Sequence, residues 1–236
     1  MKKSISIIAI LLLTVTSNAQ KTINDANAEV RSVKSFNGII VSSAFDVYVT
    51  QGTEEAVAVS AADPADRANI TVTVEKGVLV IGLNKDGRRW RGNRHLKAYI
   101  SFKQIDLLAA SGACNVYLES KIKADILSVN LSGATDLKRG VLDVDHLKVD
   151  ISGASDMKVT GVATRLTVEA SGASAFKGED LVTETCDAKA SGASDIRITV
   201  NKELTAQASG ASDVKYKGNG VIRDIKTSGA SGIRRI

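Results

Sequence analysis

The stretch Ser-Gly-Ala-Ser-Asp occurs unaltered three times, at Ser152–Asp156, Ser191–Asp195 and Ser209–Asp213. The Ser-Gly-Ala triplet within it occurs seven times, beginning at residues 111, 132, 152, 171, 191, 209 and 228. The steps between successive triplets are therefore 21, 20, 19, 20, 18 and 19 residues. A period near 20 residues that is held over six steps is typical of a solenoid, in which each repeat forms one coil stacked on the next.

Apolar and polar residues alternate on both sides of the triplet, as in Leu147–Ile151 and Asp156–Val159. This period of two residues predicts β-strands that meet at the triplet. A third, glycine-containing segment would return the chain to the next coil, and about 20 residues suffice for three short strands with their bends. The sequence therefore predicts an all-β fold, a parallel, right-handed β-helix with coils of about 20 residues.

Stacking places equivalent residues of successive coils in columns, and two apolar columns are predicted to form the core. The column five positions after each triplet serine contains Val116, Leu137, Met157, Phe176, Ile196, Val214 and Ile233. The column three positions before it contains Leu108, Val129, Val149, Val168, Ala188, Ala206 and Ile225. The triplet alanine is predicted to lie at a tight inner corner, where only a methyl group would fit.

Two charged columns should lie side by side on one outer face. The acidic residues are Asp136, Asp156, Asp195 and Asp213, interrupted by Asn115 and Ala175. The basic residues, two positions further on, are Lys138, Lys158, Lys177, Arg197, Lys215 and Arg234. We interpret them as a solvated charge lattice in which the cations offset repulsion between carboxylates about 4.8 Å apart. The alternative is a row of calcium sites, which would need six to eight oxygen ligands each.

Three regions can be distinguished along the chain of 236 residues. Residues 1–19 resemble a secretory signal peptide, because two lysines precede an apolar run that is too short to span a membrane and that ends near small residues. Residues 20–105 are predicted to form a mixed β segment, and residues 106–236 the repeat β-helix. No long apolar run follows the leader, so no transmembrane segment is expected after cleavage.

The segment before the repeats contains several recognisable elements. Ser42–Val49 aligns with Ser152–Val159 as a degenerate eighth copy of the repeat. Ile70–Val74 and Val78–Leu83 predict a hairpin, and Asp63 followed by Pro64 predicts the start of one short helix. Pro64 is the only proline, which fits uninterrupted strand pairing in the repeats.

Cys114 and Cys186 are the only cysteines of the chain. They belong to coils at least three apart, about 14 Å along the axis, whereas a disulfide needs Cα atoms within about 7 Å. They are therefore predicted to remain unpaired, with Cys186 as a small core residue.

The excess positive charge is concentrated in one stretch, Lys85–Lys97, which has six basic residues and one acidic residue. From Asp106 to Ile236 the counts are equal, with 17 basic and 17 acidic residues, which argues against nucleic-acid binding. The stretch predicts either a solvated connection or a binding loop for an anionic glycan, lipopolysaccharide phosphate or an acidic patch of another envelope protein. The candidate ligand-binding residues are Arg88, Arg89, Trp90, Arg91, Arg94 and His95.

No set of residues predicts catalysis, and we expect no metal or cofactor. The two histidines, His95 and His146, stand in unrelated contexts, with no cysteine or carboxylate cluster at metal-ligand spacing. Parallel β-helices also host polysaccharide lyases and hydrolases, so an enzyme acting on polysaccharides is the alternative. Such sites usually need long insertions, whereas these coils vary only from 18 to 21 residues.

Three motifs in order resemble the head GIN domain family. They are Phe36–Val47, the hairpin Val74–Ile81 and the Ser-Gly-Ala-x-Asp repeats. Members of that family are exported bacterial proteins and are proposed to be auto-transporter adhesins. The resemblance implies a β-helix-like, all-β fold outside the cytoplasm. It does not identify any binding or catalytic residues.

Together these features predict a non-catalytic binding or adhesion-type scaffold, exported to the periplasm or the cell surface. A calcium-stabilised structural solenoid is a further alternative. The last coil should present an open strand edge, which could pair two chains into a homodimer or be kept solvated by Arg234 and Arg235.

Overall fold

The computed structural model describes residues 25–84 and 95–236, which form one short helix and 16 strands. The elements before the repeats are β1 (Glu29–Arg31), β2 (Gly38–Ser43), β3 (Phe45–Gln51), β4 (Ala56–Ser60), α1 (Pro64–Ala68), β5 (Ile70–Glu75), β6 (Val78–Leu83) and β7 (Leu96–Phe102). The repeats form β8 (Leu107–Gly112), β9 (Asn115–Gly133), β10 (Asp136–Ile151), β11 (Asp156–Ala170), β12 (Ala175–Ala190), β13 (Asp195–Gly210), β14 (Asp213–Lys217), β15 (Val221–Gly229) and β16 (Gly232–Arg235). The predicted signal peptide, residues 1–19, lies outside the described residues.

The repeats form a parallel β-solenoid, as predicted. Each of the strands β9 to β13 extends over 15 to 19 residues, so it continues from one triplet to the next. Neighbouring strands pair in parallel at the spacing of the repeat, for example Asp136 with Asp156 and Leu147 with Leu166. Equivalent residues of successive coils therefore lie directly above one another.

The triplet forms a stacked corner whose geometry depends on glycine. Gly153 has a φ of +78°, a conformation that L side chains rarely adopt. The following residue, Ala154, donates its N–H to the carbonyl oxygen of Gly133 in the preceding coil at 2.7 Å. The same bond joins Ala173 to Gly153 at 2.8 Å, so the hydrogen-bond ladder continues through each corner.

The prediction that the triplet alanine lies inside the corner is wrong. Ala134, Ala154 and Ala173 are stacked in one column, but all three are exposed. The left-handed glycine reverses the alternation of side chains, so that the alanine points outward and the next residue points inward. The buried residues are Cys114, Thr135, Ser155, Ser174, Ser194 and Ser212, with Ser231 half-buried.

The inward serine binds the backbone of the corner. The Ser194 hydroxyl lies 2.9 Å from the carbonyl oxygen of Ser191 and 3.1 Å from that of Ala170. Ser212 makes the equivalent contacts one coil further on. The fourth residue of the repeated motif is therefore a structural group that satisfies buried backbone oxygens.

Both predicted apolar columns lie in one continuous core, which also includes the N-terminal segment. Phe176, for example, is fully buried. The last coil differs, since Ile233 is only partly buried and Ile225 is 38% exposed. No strand among the described residues lies on the outer side of β15 and β16, which accounts for this exposure.

The N-terminal segment adds a further coil and covers the end of the solenoid. Ser42 pairs with Ser111, and Val47 pairs with Val116, so the degenerate copy stacks on the first repeat. Beyond it, β7 pairs in parallel with β3, and β4 and β1 then add antiparallel strands. The predicted hairpin is formed by β5 and β6, and β6 pairs in parallel with β2.

Two local predictions are confirmed by the side-chain contacts. The Asp63 carboxylate accepts a hydrogen bond from the Ala65 N–H at 2.8 Å and caps α1, which begins at Pro64. Cys114 and Cys186 are both buried and unpaired. Burial raises the pKa of both thiols, so neither is an activated thiolate.

Candidate functional site

One outer face of the solenoid carries two neighbouring columns of polar side chains, and we call it the polar face. It is formed by β7, β3, β14, β16 and the first part of β9 to β13. The acidic column contains Lys97, Asp46, Asn115, Asp136, Asp156, Ala175, Asp195, Asp213 and Gly232. The register is broken once, at a bulge in β10 where Arg139 and not Lys138 pairs with Tyr117. With that exception the donor column contains Tyr99, Tyr48, Tyr117, Lys138, Lys158, Lys177, Arg197, Lys215 and Arg234.

Ion pairs join the two columns, as the charge-lattice hypothesis predicts. Lys138 lies 2.5 Å from Asp136 in its own coil. Lys215 contacts carboxylates of two coils, Asp195 at 3.2 Å and Asp213 at 3.4 Å. These side chains are partly exposed, so each pair contributes only about 0–1 kcal/mol to stability and can exchange partners at little cost.

The first three members of the donor column are stacked tyrosines. The ring centroids of Tyr48 lie 5.1 Å from those of Tyr99 and of Tyr117, with interplanar angles of 14° and 13°. Because each ring covers the face of its neighbour, the ring faces are largely used within the ladder. The ladder therefore offers edges and hydroxyl groups to a ligand rather than an open aromatic platform.

The Tyr99 hydroxyl is bound by the N-terminal lead-in. It donates to the Asp25 carboxylate at 2.8 Å, and the Lys97 ammonium lies 3.3 Å from the same oxygen. Burial raises the pKa of Asp25, but hydrogen bonds from Tyr99, from the Asn27 backbone and from two further side chains outweigh it and lower the pKa to about 2. Desolvation and the bond to Asp25 raise the pKa of Tyr99. Asp25 thus holds the lead-in against the polar face as a carboxylate.

This geometry predicts a specific acid sensitivity. Because the pKa of Asp25 is lower in the folded chain, its contribution is complete above the ordinary pKa of 3.8 and is lost as the pH falls to about 2. Asp25→Asn should therefore lower the free energy of unfolding at about pH 7 and lose that difference at about pH 2. Urea unfolding at several pH values measures this. Asp125→Asn, at an exposed carboxylate, is the control, and a deficit for Asp25→Asn that stays constant down to about pH 2 contradicts the prediction.

The predicted basic site lies mostly outside the described residues. Arg88, Arg89, Trp90, Arg91 and Arg94 belong to the part of the chain that is not described. His95 is described and has a φ of +45° directly before β7. Lys97, the last residue of the basic stretch, pairs in register with Asp46 and so belongs to the polar face.

The order of motifs and the stacked coils agree with one protein family. Residues 35–220 match the family model described as "Putative auto-transporter adhesin, head GIN domain". The chain belongs to the head GIN domain family. No curated protein matches the sequence.

Solved structures resemble this member of the head GIN domain family over most of its length. A putative adhesin from Bacteroides fragilis is 22% identical, with a TM-score of 0.79, and the match covers 89% of this chain and 96% of that one. A putative adhesin from Parabacteroides merdae is 18% identical, with a TM-score of 0.65 and coverage of 89% and 95%. A putative lipid binding protein from Parabacteroides distasonis is 18% identical, with a TM-score of 0.66 and coverage of 89% and 98%. At these identities the likeness shows the shared fold.

Groups that could support chemistry are dispersed in this family member. Within residues 25–84 and 95–236, no three His, Cys, Asp or Glu side chains come close enough to hold a metal ion. The His146 Nε2 atom lies 3.3 Å from the Thr167 hydroxyl, and burial together with Arg165 and Lys148 lowers the pKa of the ring. In the same described ranges, no helix is long and apolar enough to cross a membrane.

A second outer face carries a shallow groove of about 450 Å³ beside the triplet serines. Its lining includes Ser171, Ser191 and Ser209, with Glu169 and Lys189 on one side. Lys189 lies 2.8 Å from Glu169, so this side also consists of paired charges.

Sequence reasoning missed the tyrosine ladder, although part of its signal was present. The alignment of Ser42–Val49 with Ser152–Val159 places Tyr48 in the column of Lys158, and the first repeat places Tyr117 there. Tyr99 could not be found in this way, because β7 lies outside the repeat and joins the column through its pairing with β3.

Proposed function

We propose that this member of the head GIN domain family is an exported, non-catalytic scaffold that binds an anionic partner at the bacterial envelope or cell surface. The partner would be an anionic glycan, the phosphate of lipopolysaccharide or an acidic patch of another envelope protein. The donor column carries the proposal, because eight successive positions of one face, from Tyr48 to Arg234, end in a hydrogen-bond donor that the lead-in does not bind.

The spacing and rigidity of the column suit an extended partner. Parallel strands lie about 4.8 Å apart, so these eight donors span about 34 Å along the axis. Ammonium, guanidinium and phenol groups all donate to carboxylate, sulfate or phosphate oxygens. Because the exposed ion pairs are weak, a ligand anion can replace a carboxylate of the lattice without a large loss of stability.

The basic stretch contributes the second part of the proposal. It ends in β7, where Lys97 lies at the start of the acidic column. Arg88, Arg89, Trp90, Arg91, Arg94 and His95 are the side chains proposed to bind the same partner. The description of one structural neighbour as a lipid binding protein fits this chemistry, since a lipid headgroup phosphate is an anion of the same kind.

Binding to isolated envelope fractions tests the proposed function. The chain is immobilised, and retention of labelled capsular glycan, lipopolysaccharide and envelope proteins is measured. Changing Arg88, Arg89, Arg91 and Arg94 to serine should abolish retention. Changing Lys121, Lys123, Lys202 and Lys226 to serine removes the same charge from other faces and should preserve it. Absence of binding by the unaltered chain to every fraction contradicts the proposal.

Pairing of two chains through the last coil remains part of the proposal. Ile225 is exposed there, although its column is buried in the preceding coils. Val221 and Ile222 are also exposed on β15. Sedimentation of the purified chain measures its mass, and a monomer at all concentrations contradicts the pairing.

A further inference from the structure

We propose that the polar face has one defined anion-binding position, at Ala175, where a carboxylate or sulfate group of an acidic glycan completes the charge lattice. This rests on the proposed function and deepens it by naming the position and the ligand group. The starting observation is that Ala175 is the one residue without a polar side chain between Asp46 and Asp213 in the acidic column.

The complete lattice shows what the missing group would do. Lys215 lies between two carboxylates, its own coil's Asp213 at 3.4 Å and the preceding coil's Asp195 at 3.2 Å. Asp213 in turn receives Arg234 from the next coil at 3.5 Å. Each aspartate can therefore serve the cation of its own coil and the cation of the following coil.

Ala175 has no carboxylate, so it contacts neither the cation of its own coil nor the cation of the following coil. Lys177 has Ala175 in place of an acidic-column aspartate in its own coil, and it contacts Asp156 of the preceding coil at 2.6 Å. Arg197 contacts its own Asp195 at 3.0 Å and has no carboxylate on its other side. A single anionic group above the Ala175 methyl would lie between Lys177 and Arg197.

The displacement of Lys177 leaves a third cation uncompensated. Lys158 is exposed and has no ion pair with any residue in the described part of the chain. The Asp156 carboxylate that it could use is bound by Lys177. Lys158, Lys177 and Arg197 are consecutive in the donor column and have only two acidic-column carboxylates, Asp156 and Asp195, as neighbours.

The other interruption of the column, Asn115, is not equivalent. Its amide donates to the Asp46 carboxylate at 2.8 Å, so the polar contact between coils is retained. Its neighbour in the donor column is Tyr117, which is stacked on Tyr48 and needs no counter-ion. An absent carboxylate between two cations therefore occurs only at Ala175 in the column from Asp46 to Asp213.

The ligand group follows from this geometry. The position matches the terminal group of an aspartate, a planar carboxylate whose oxygens accept from two donors, and a tetrahedral sulfate group presents oxygens to two donors in the same way. Uronate carboxylates and sulfate esters both meet this condition. A glycan that carries one such group at Ala175 can continue along the donor column, which supplies further donors about 4.8 Å apart.

Filling the position from the protein side tests the proposal. Ala175→Asp supplies the missing carboxylate and should weaken binding about tenfold, since the ligand group would lose its contacts with two partly exposed cations at once. Ala173→Asp adds the same charge in the same coil on the exposed corner and should change binding less than about twofold. The probes are dextran sulfate and polygalacturonate, with unsulfated dextran as the neutral control. Both variants should keep the melting temperature of the unaltered chain, with Ala175→Asp equal or higher.

The outcomes separate this inference from the proposed function. If the unaltered chain binds neither polyanion, the position at Ala175 is wrong, and the proposed function is contradicted as well only if the chain also binds no envelope fraction. If it binds them and Ala175→Asp binds equally well, the position at Ala175 is wrong and the proposed function stands. If Ala175→Asp loses binding while serine at residues 88, 89, 91 and 94 has no effect, the position is correct and the assignment of the basic stretch is wrong. If Ala175→Asp loses binding to only one of the two polyanions, the position binds the group that this polyanion carries, sulfate for dextran sulfate or carboxylate for polygalacturonate.

Discussion

Replacing Gly153 with alanine is expected to lower the free energy of unfolding by about 2–4 kcal/mol. Gly153 has a φ of +78°, and a Cβ atom there would lie 2.4 Å from the carbonyl oxygen of Gly133. That oxygen accepts the Ala154 N–H at 2.7 Å, so a shift that relieves the clash also weakens the ladder. Gly172 stacks on Gly153 in the same way, so the distortion is passed to the next coil. Urea unfolding followed by circular dichroism measures the change.

Two variants at neighbouring positions provide controls for this prediction. Ala154→Val places a larger side chain on the exposed outer side of the corner and should cost less than about 1 kcal/mol. Ser43 occupies the glycine position of the degenerate copy with a φ of +99°, so Ser43→Gly should stabilise the chain. If Ala154→Val were as damaging as Gly153→Ala, the corner would have the inward alanine that the sequence suggested.

The second large effect is expected for Phe176→Ala, which should cost about 3–5 kcal/mol. Phe176 is fully buried and lies between Met157 and Ile196 in the core column. Its ring covers Gly178, where a Cβ atom would lie 2.4 Å from Cε1. Since the coils on both sides are fixed by continuous pairing, the space cannot collapse after the ring is removed.

The exposed Val182 provides a matched control for the core substitution. Val182→Ala, on another face of the same coil, should cost less than about 1 kcal/mol because the side chain is 43% exposed. Thermal and urea unfolding of both variants measure the difference. A loss below about 1 kcal/mol for Phe176→Ala would mean that neighbouring coils can repack, contrary to the continuous stacking described above.

The sequence was most informative where one constraint recurs in every coil. The triplet spacing predicted the stacked parallel strands, and the columns of Val149 and Phe176 predicted the core, because buried positions in a stack need apolar side chains. The same geometry predicted that Cys114 and Cys186 remain unpaired. The resemblance of three ordered motifs predicted the family, which the match over residues 35–220 confirms.

Other features depended on contacts between residues that the repeat does not relate. The alternating pattern did not decide which corner residue points inward, since one left-handed glycine reverses the outcome for Ala154 and Ser155. The place of Tyr99 beside Tyr48 required the pairing of β7 with β3. The ion pairs around Ala175 could not be predicted from the sequence, because they depend on the direction in which the Lys177 side chain extends.

The coil, its length and its core follow from the amino-acid sequence alone, because a period of about 20 residues with alternating polarity has few other solutions. The three-dimensional fold was needed to show how the N-terminal strands cover the solenoid, which tyrosines stack and which cation lacks an ion pair. These features depend on backbone pairing between distant segments and on the rotamers of long side chains, and neither leaves a periodic signal in the chain.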